Sequence, residues 1–189
     1  MDLVWTRSYG AVTVDDICEA AGVKKGSFYY FFKSKDELVA AALDAKWEEV
    51  RPAYDRIFSA SRPALDRLKD AFEYAYEKQK ELRELHGCAL GCPFSSVGTE
   101  LIAAHKTLRD AVQRMIRAKQ TYFESAIRDL QSEGQLPPGQ DPGVLAKQAY
   151  SYFEGALAQA RISDDLELLR GVYDGVLKLL GIRQPVSVS

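Results

Sequence analysis

Apolar residues recur along this 189-residue chain at three- and four-residue steps, the spacing of helices that bury one face. Leu3 and Val4 form a short apolar turn that ends by Tyr9-Gly10. Val14, Ile17 and Ala21 mark a helix after Thr13, which suits an N-cap with Asp16 three residues on. Gly22 gives the backbone freedom for a sharp turn, and Val23 is expected to plug the corner. A second short helix, Lys25 to Phe32, would be anchored by Phe28 and Phe32, four apart. Ser34 and Glu37 make another capping pattern, S-x-x-E. It opens a long stripe of Leu38, Val39, Ala42, Leu43, Trp47 and Val50, resumed by Tyr54 and Ile57. Pro52 should kink or break that helix, because proline lacks the amide donor.

Further on, Arg62-Pro63 restarts a helix with proline in its first turn, carrying Leu65, Leu68, Phe72, Ala75, Tyr76 and Leu82. The pattern fails at HGCALGCPFSSVG, and Pro93 predicts a short helix ending near His105. A strong stripe from about Thr107 to Glu133 is closed by Gly134. QLPPGQDPG reads as a loop, from which Asp141 and Pro142 open a helix rich in small residues at Gly155, Ala156, Ala158 and Ala160. Ser163 or Asp164 should cap a last helix bearing Leu166, Leu169, Tyr173, Val176 and Leu180, ended by Gly181 and a loose tail to Ser189. With no strand alternation, repeat or low-complexity tract, the pattern predicts an all-α protein.

A chain of this length can bury a sizeable core, and nearly half of it is hydrophobic. No apolar run approaches the roughly 20 residues of a membrane span, and no signal-peptide pattern opens the chain, so a cytoplasmic location is expected. Three cysteines, an odd number, fit a reducing compartment. The net charge of −2 does not itself point to nucleic acid. The positive charge is instead local: Lys24, Lys25, Lys33 and Lys35 bracket the second helix, with no acid between Val23 and Lys35. Opposite Phe28 and Phe32 that helix presents Gly26, Ser27 and Tyr30, with Tyr29 to one side. Such a face suits a major groove flanked by phosphates.

The run Thr13-Val14-x-x-Ile17, Ala20-Ala21-Gly22-Val23, Gly26-Ser27-Phe28-Tyr29, Phe32-x-Ser34-Lys35-Asp36 and Leu38 closely resembles the DNA-binding half of the TetR/AcrR family of transcriptional repressors. The resemblance implies a helix-turn-helix head over residues 1–46 and a helical effector-binding and dimerisation body over 47–189. Within the head, Thr13, Lys24, Tyr30 and Lys35 are expected to hold phosphates, while Lys25, Gly26, Ser27 and Tyr29 lie nearest base edges. Two positions depart from the family pattern: Lys24 stands where Ser or Thr is usual, and Phe31 stands where His or Tyr is usual. The opening MDLVWTRSYGAV matches only the last turns of the family's first helix. Either the chain begins upstream, or part of the head's core is lost.

The body, in GCPFSSVGTEL and the closing SYFEGAL to LKLLG run, is similar to one subgroup of the same family. That similarity implies a homodimer in which the last two helices meet their copies, with Tyr152, Ala156, Ala160, Leu169, Tyr173 and Val176 at the interface. Two recognition helices must reach successive major grooves about 34–36 Å apart, which a two-fold dimer provides. The aromatics Phe72, Tyr76, Phe94, Tyr122, Phe123, Tyr150 and Phe153, with Cys92, are candidates for an effector pocket. Arg114, Arg117 and Lys119 are read as solvated, although one inward arginine could pair an anionic ligand. The expected partners are thus a double-stranded DNA operator, a small-molecule effector and a second copy, with no membrane and no cofactor.

Cys88 and Cys92, with His86 and His105, could ligate a soft metal, but H-x-C-x-x-x-C is not a standard structural-zinc spacing, and no metal is expected. As a thiol sensor, Cys92 is the stronger candidate, because Pro93 opens a helix whose N-terminus would favour thiolate. A small buried hydrophobe is the alternative there, and Cys18 reads as core. No phosphate loop, G-x-S-x-G or H-E-x-x-H motif suggests an enzyme. The reading is a regulator, a repressor released by a small molecule or electrophile. Its rival is a dimeric ligand-binding protein that has lost DNA binding.

Overall fold

The computed structural model describes residues 1–101, 104–137 and 139–182. Among them run α1 (Asp2–Arg7), α2 (Val14–Ala21), α3 (Lys25–Phe31), α4 (Lys35–Ile57), α5 (Ala64–His86), α6 (Pro93–Thr99), α7 (Lys106–Ser132), α8 (Pro142–Ser163), α9 (Glu167–Arg170) and α10 (Val172–Leu180). No strand occurs among these residues. The expected loose tail, 183–189, lies outside them. The helices form two compact units: Met1–Arg51 with Cys92–Arg117, and Pro52–Gly91 with the chain from Ala118 onward. Residues 92–117 therefore group with the head, whereas the sequence places everything beyond residue 46 in the body. Pro52 does not break α4, and the chain changes unit at that residue.

In the first unit the core is built from Val4, Trp5, Val12, Phe28, Val39, Leu43 and Trp47, with Phe94, Val97 and Leu108 from the later segment. α1 packs on α6. A Cβ on Gly98 would come within 3.0 Å of Val112, so α6 approaches α7 at a glycine. The Glu100 carboxylate beyond α6 accepts the amides of Tyr9 at 3.2 Å and Gly10 at 2.8 Å. These amides belong to the link between α1 and α2, where helix bonds are lacking.

The second unit is organised around aromatic rings. Tyr54 stacks on Phe58 at 5.9 Å, Phe58 meets Phe123 at 5.5 Å, and Phe72 meets Phe123 and Phe153 at 5.8 and 5.1 Å. Two buried polar side chains hold the connections. Arg67 donates to the carbonyls of Arg62 and Ala60 and pairs with Asp129 at 2.6 Å. Gln79 accepts the amides of Leu90 (3.1 Å) and Gly91 (2.7 Å) and donates to the Gly91 carbonyl at 3.0 Å. Gly91 has φ +65°, and a Cβ there would press on the Leu157 carbonyl at 3.2 Å.

Several boundaries differ from the sequence reading. α6 ends at Thr99 rather than near His105. Pro63, read as part of the first turn of α5, stands one residue before it as the N-cap. The last helix is interrupted at Gly171, and Asp164 ends α8 in a left-handed conformation (φ 50°) instead of opening the next helix. The apolar stripe survives the break, because Leu166, Leu169, Val176 and Leu180 are all buried.

Candidate nucleic-acid interface

The α2–α3 corner is fixed by local chemistry. Thr13 Oγ1 accepts the Asp16 amide at 3.1 Å, and the Asp16 carboxylate accepts the Thr13 amide at 2.7 Å, closing the capping box at α2. The Thr13 hydroxyl, which also donates to that carboxylate at 2.5 Å, and then the Thr13 amide hold the Asp16 carboxyl below the usual range. Gly22 ends α2 at φ 65°, and the Val23 amide returns to the Cys18 carbonyl at 2.9 Å. Val23 does not plug the corner: it is exposed, and Phe28 is the buried residue. α3 has only seven residues, too few to be stable alone. It is held by Phe28, which packs at 5.0 Å against Tyr29 and 6.0 Å against Phe32. Burying a Phe side chain contributes about 1.5–3 kcal/mol.

The face away from Phe28 is open. Lys24, Lys25, Gly26, Ser27 and Tyr29 are exposed, and Tyr30 and Phe31 reach 82% and 73% exposure with their rings edge-to-face at 4.9 Å. Nothing lies within 4 Å of where a Gly26 Cβ would stand, so another molecule can approach the backbone there. The lysines are not equivalent. Lys25 pairs with Asp15 at 2.9 Å in an exposed setting. Lys35 turns inward, its ammonium donating to the Tyr9 and Val12 carbonyls at 2.8 Å each and lying 4.0 Å over the Tyr9 ring. Lys24 and Lys33 are exposed. Ser34 caps α4 by accepting the Glu37 amide at 3.2 Å, while Glu37 reaches back to the Lys33 amide at 2.7 Å.

The family description "Bacterial regulatory proteins, tetR family" matches residues 1–42, and "Tetracyclin repressor-like, C-terminal domain" matches residues 64–176. The chain belongs to the tetR family of bacterial regulatory proteins. Transcriptional regulator AcuR of Cereibacter sphaeroides is 30% identical over 156 residues, 82% of this chain and 70% of that protein. A crystal structure of regulatory protein TetR from Rhodobacter sphaeroides superposes with a TM-score of 0.79 at 28% identity, covering 93% of this chain and 92% of that one. The reduced form of NemR from E. coli shares the fold, with a TM-score of 0.76 at 23% identity over 98% and 93% of the two chains. The match over residues 1–42 covers α1, α2 and α3 and reaches into α4.

In this tetR-family protein the residues read as an effector pocket divide. Phe72, Phe123, Tyr150 and Phe153 are buried in the aromatic cluster of the second unit, with Tyr122 at its edge. Tyr76 instead lines a cleft of about 450 Å³ between α5 and α9–α10 with Leu169, Arg170 and Tyr173, and of the cluster only Phe72 reaches it. The Arg170 guanidinium stacks 4.7 Å from the Tyr76 ring and donates to its hydroxyl at 2.7 Å. Burial, then the charges of Asp66 and Asp174, raises the Tyr173 phenol. Phe94 and Cys92 belong to the first unit. Lys119, read as solvated, is buried and lies 5.6 Å from the Tyr54 ring centre.

Among the residues read as a dimer interface, Ala160, Leu169 and Val176 are buried within the chain's own core. The open side of α8–α10 carries Tyr152, Ile162, Leu168 and Leu179. Tyr152 lies across Gly175, where a Cβ would overlap its ring and hydroxyl. Cys92 occupies the N-cap position of α6 without a side-chain capping bond and is only 6% exposed, whereas Cys88 is exposed and belongs to the other unit. Among the described residues no group of His, Cys, Asp or Glu gathers as a metal site, and no helix is long and apolar enough to cross a membrane.

Proposed function

We propose that this tetR-family chain acts as a homodimeric, cytoplasmic repressor whose operator affinity falls when a small molecule occupies its body. The observation that carries the reading is the exposed face of α3, where an unobstructed Gly26, Ser27 and two outward tyrosines lie between lysines. Gly26, Ser27, Tyr29 and Lys25 read base edges, whereas Lys24, Thr13 and Tyr30 contact phosphates, joined by Lys33 in place of the inward Lys35. Two such faces must be presented about 34–36 Å apart. The apolar side of α8–α10 at Tyr152, Ile162, Leu168 and Leu179, with Ala156, gives a second copy its seat.

For the effector, support comes from the cleft at Phe72, Tyr76 and Tyr173, which combines aromatic walls with charged rims. Release requires the effector to bind the DNA-incompetent form better than the competent one. The test is fluorescence anisotropy with fragments from around the gene at several salt concentrations. Saturable, sequence-dependent binding with a steep salt slope is expected. Equal affinity for specific and scrambled fragments overturns the reading and leaves the ligand-binding alternative in its place.

A further inference from the structure

A polar cluster in the first unit takes no part in the DNA-facing surface. His105, just before α7, places Nδ1 2.9 Å from Asp36 Oδ2 in the first turn of α4, with the side chains 29% and 21% exposed. The Tyr9 hydroxyl, from the α1–α2 link, donates to the other Asp36 oxygen and lies 3.4 Å from His105 Nδ1. Its ring meets the imidazole edge-on at 5.4 Å. Three stretches far apart in sequence converge here, and Tyr9 and Asp36 bracket α2 and α3.

The charge states of two members are set. Partial burial pushes the Asp36 carboxyl upward, but hydrogen bonds from Tyr9 and His105, and the nearby charges of His105 and Lys35, outweigh it and leave it below the usual range. Burial, then the bond to Asp36, pushes the Tyr9 phenol well above its ordinary value. Through the neutral range Asp36 stays ionised and Tyr9 stays a donor. The remaining partner is the imidazole, which meets that carboxylate as a charge only when protonated.

We propose that the Asp36–His105 contact is a protonation-dependent strut that positions the helix-turn-helix, so that DNA binding weakens as pH rises through neutrality. The proposal rests on the DNA-reading function argued for α3. A charge-assisted bond is roughly twice as strong as a neutral one, so loss of the His105 proton loosens the hold on the first turn of α4. His105 itself faces Asp36 on α4 and Tyr9 on the α1–α2 link, and behind them Lys35 acts on Asp36 and Glu100, beyond α6, acts on Tyr9. Lys106 and Arg109 follow on α7, Lys106 being paired with Asp110 at 2.7 Å. In sign, the bond is complete while His105 is protonated and fades as pH rises. On the acid side it fails only as pH falls through the depressed value of Asp36.

The experiment compares the full chain with His105→Gln, Asp36→Asn and His86→Gln at pH 6, 7 and 8 and constant ionic strength. Glutamine keeps a neutral donor but cannot take up a proton. DNA affinity of the wild type is expected to fall about fivefold more between pH 6 and 8 than that of His105→Gln, the scale of trading a charge-assisted bond for a neutral one. Asp36→Asn should share the flattened profile, and His86→Gln should match the wild type. Thermal melting is followed in parallel, with a larger loss from pH 6 to 8 expected for the wild type than for His105→Gln. Superimposable pH profiles of wild type and His105→Gln, in binding or in melting, overturn the strut. A protein that binds no DNA at any pH overturns the DNA-reading function instead, and the melting comparison still decides the strut.

Discussion

Replacing Gln79 tests how the segment leading to α6 is held. The side chain is buried in the second unit and serves three backbone groups: the amides of Leu90 and Gly91 and the carbonyl of Gly91. Leu90 and Gly91 are themselves buried, so water cannot easily take its place. Leaving a buried polar group without its partner costs about 1–3 kcal/mol. Gln79→Leu, which nearly conserves volume, is therefore expected to destabilise by at least about 3 kcal/mol when all three bonds are lost. Gln79→Ala adds a cavity and should cost about 1–2 kcal/mol more. For a chain of this size, 3 kcal/mol corresponds to a fall in Tm of about 6–12 °C. Urea unfolding followed by circular dichroism, with Tm from a parallel scan, reads both variants. A loss below about 1 kcal/mol for Gln79→Leu would show that the loop finds other partners and refute the reasoning.

Other expectations follow from the head and the cysteines. Thr13→Ala should cost about 1 kcal/mol through loss of the α2 cap, and Thr13→Ser should restore it, as read by melting. Lys24→Gln should lower the salt slope of DNA binding by about 0.9 with unchanged stability. Lys35→Met should instead lower stability and leave that slope nearly unchanged, because its ammonium serves the Tyr9 and Val12 carbonyls. A reduced slope without destabilisation would return Lys35 to the phosphate contacts. Brief sub-stoichiometric alkylation followed by mass spectrometry should label exposed Cys88 before buried Cys92 and Cys18, and first labelling at Cys92 would reinstate it as the sensor candidate.

Features of the fold that depend on neighbouring residues were legible in the sequence. The Thr13–Asp16 box, the left-handed Gly22 and the Asp141-Pro142 start of α8 each follow from chemistry spanning only a few positions. The outward face of α3 was legible because Phe28 alone fixes which side is buried. What stayed hidden involves distant partners. Lys35 belongs by its neighbours to a cationic rim, yet carbonyls 23 and 26 residues earlier claim its ammonium. Lys119 is buried on a helix face whose surroundings no local pattern states. The Tyr9–Asp36–His105 cluster spans 96 residues, and only the folded chain brings it together. Ala160, Leu169 and Val176 carry the right residue types for a dimer seam, but periodicity does not say whether a stripe faces the chain's own core or a second copy.

The two buried tryptophans, Trp5 and Trp47, both belong to the first unit, and the second has none. Indole emission excited at the red edge of the absorption band therefore originates wholly from the DNA-reading unit, whereas far-ultraviolet ellipticity sums helices from both. Coincident transitions in the two signals would mean that the units unfold as one cooperative block. An indole red shift that precedes the loss of ellipticity would assign the earlier event to the head. The protein thus carries its own optical label for the unit that meets the operator, without an added fluorophore.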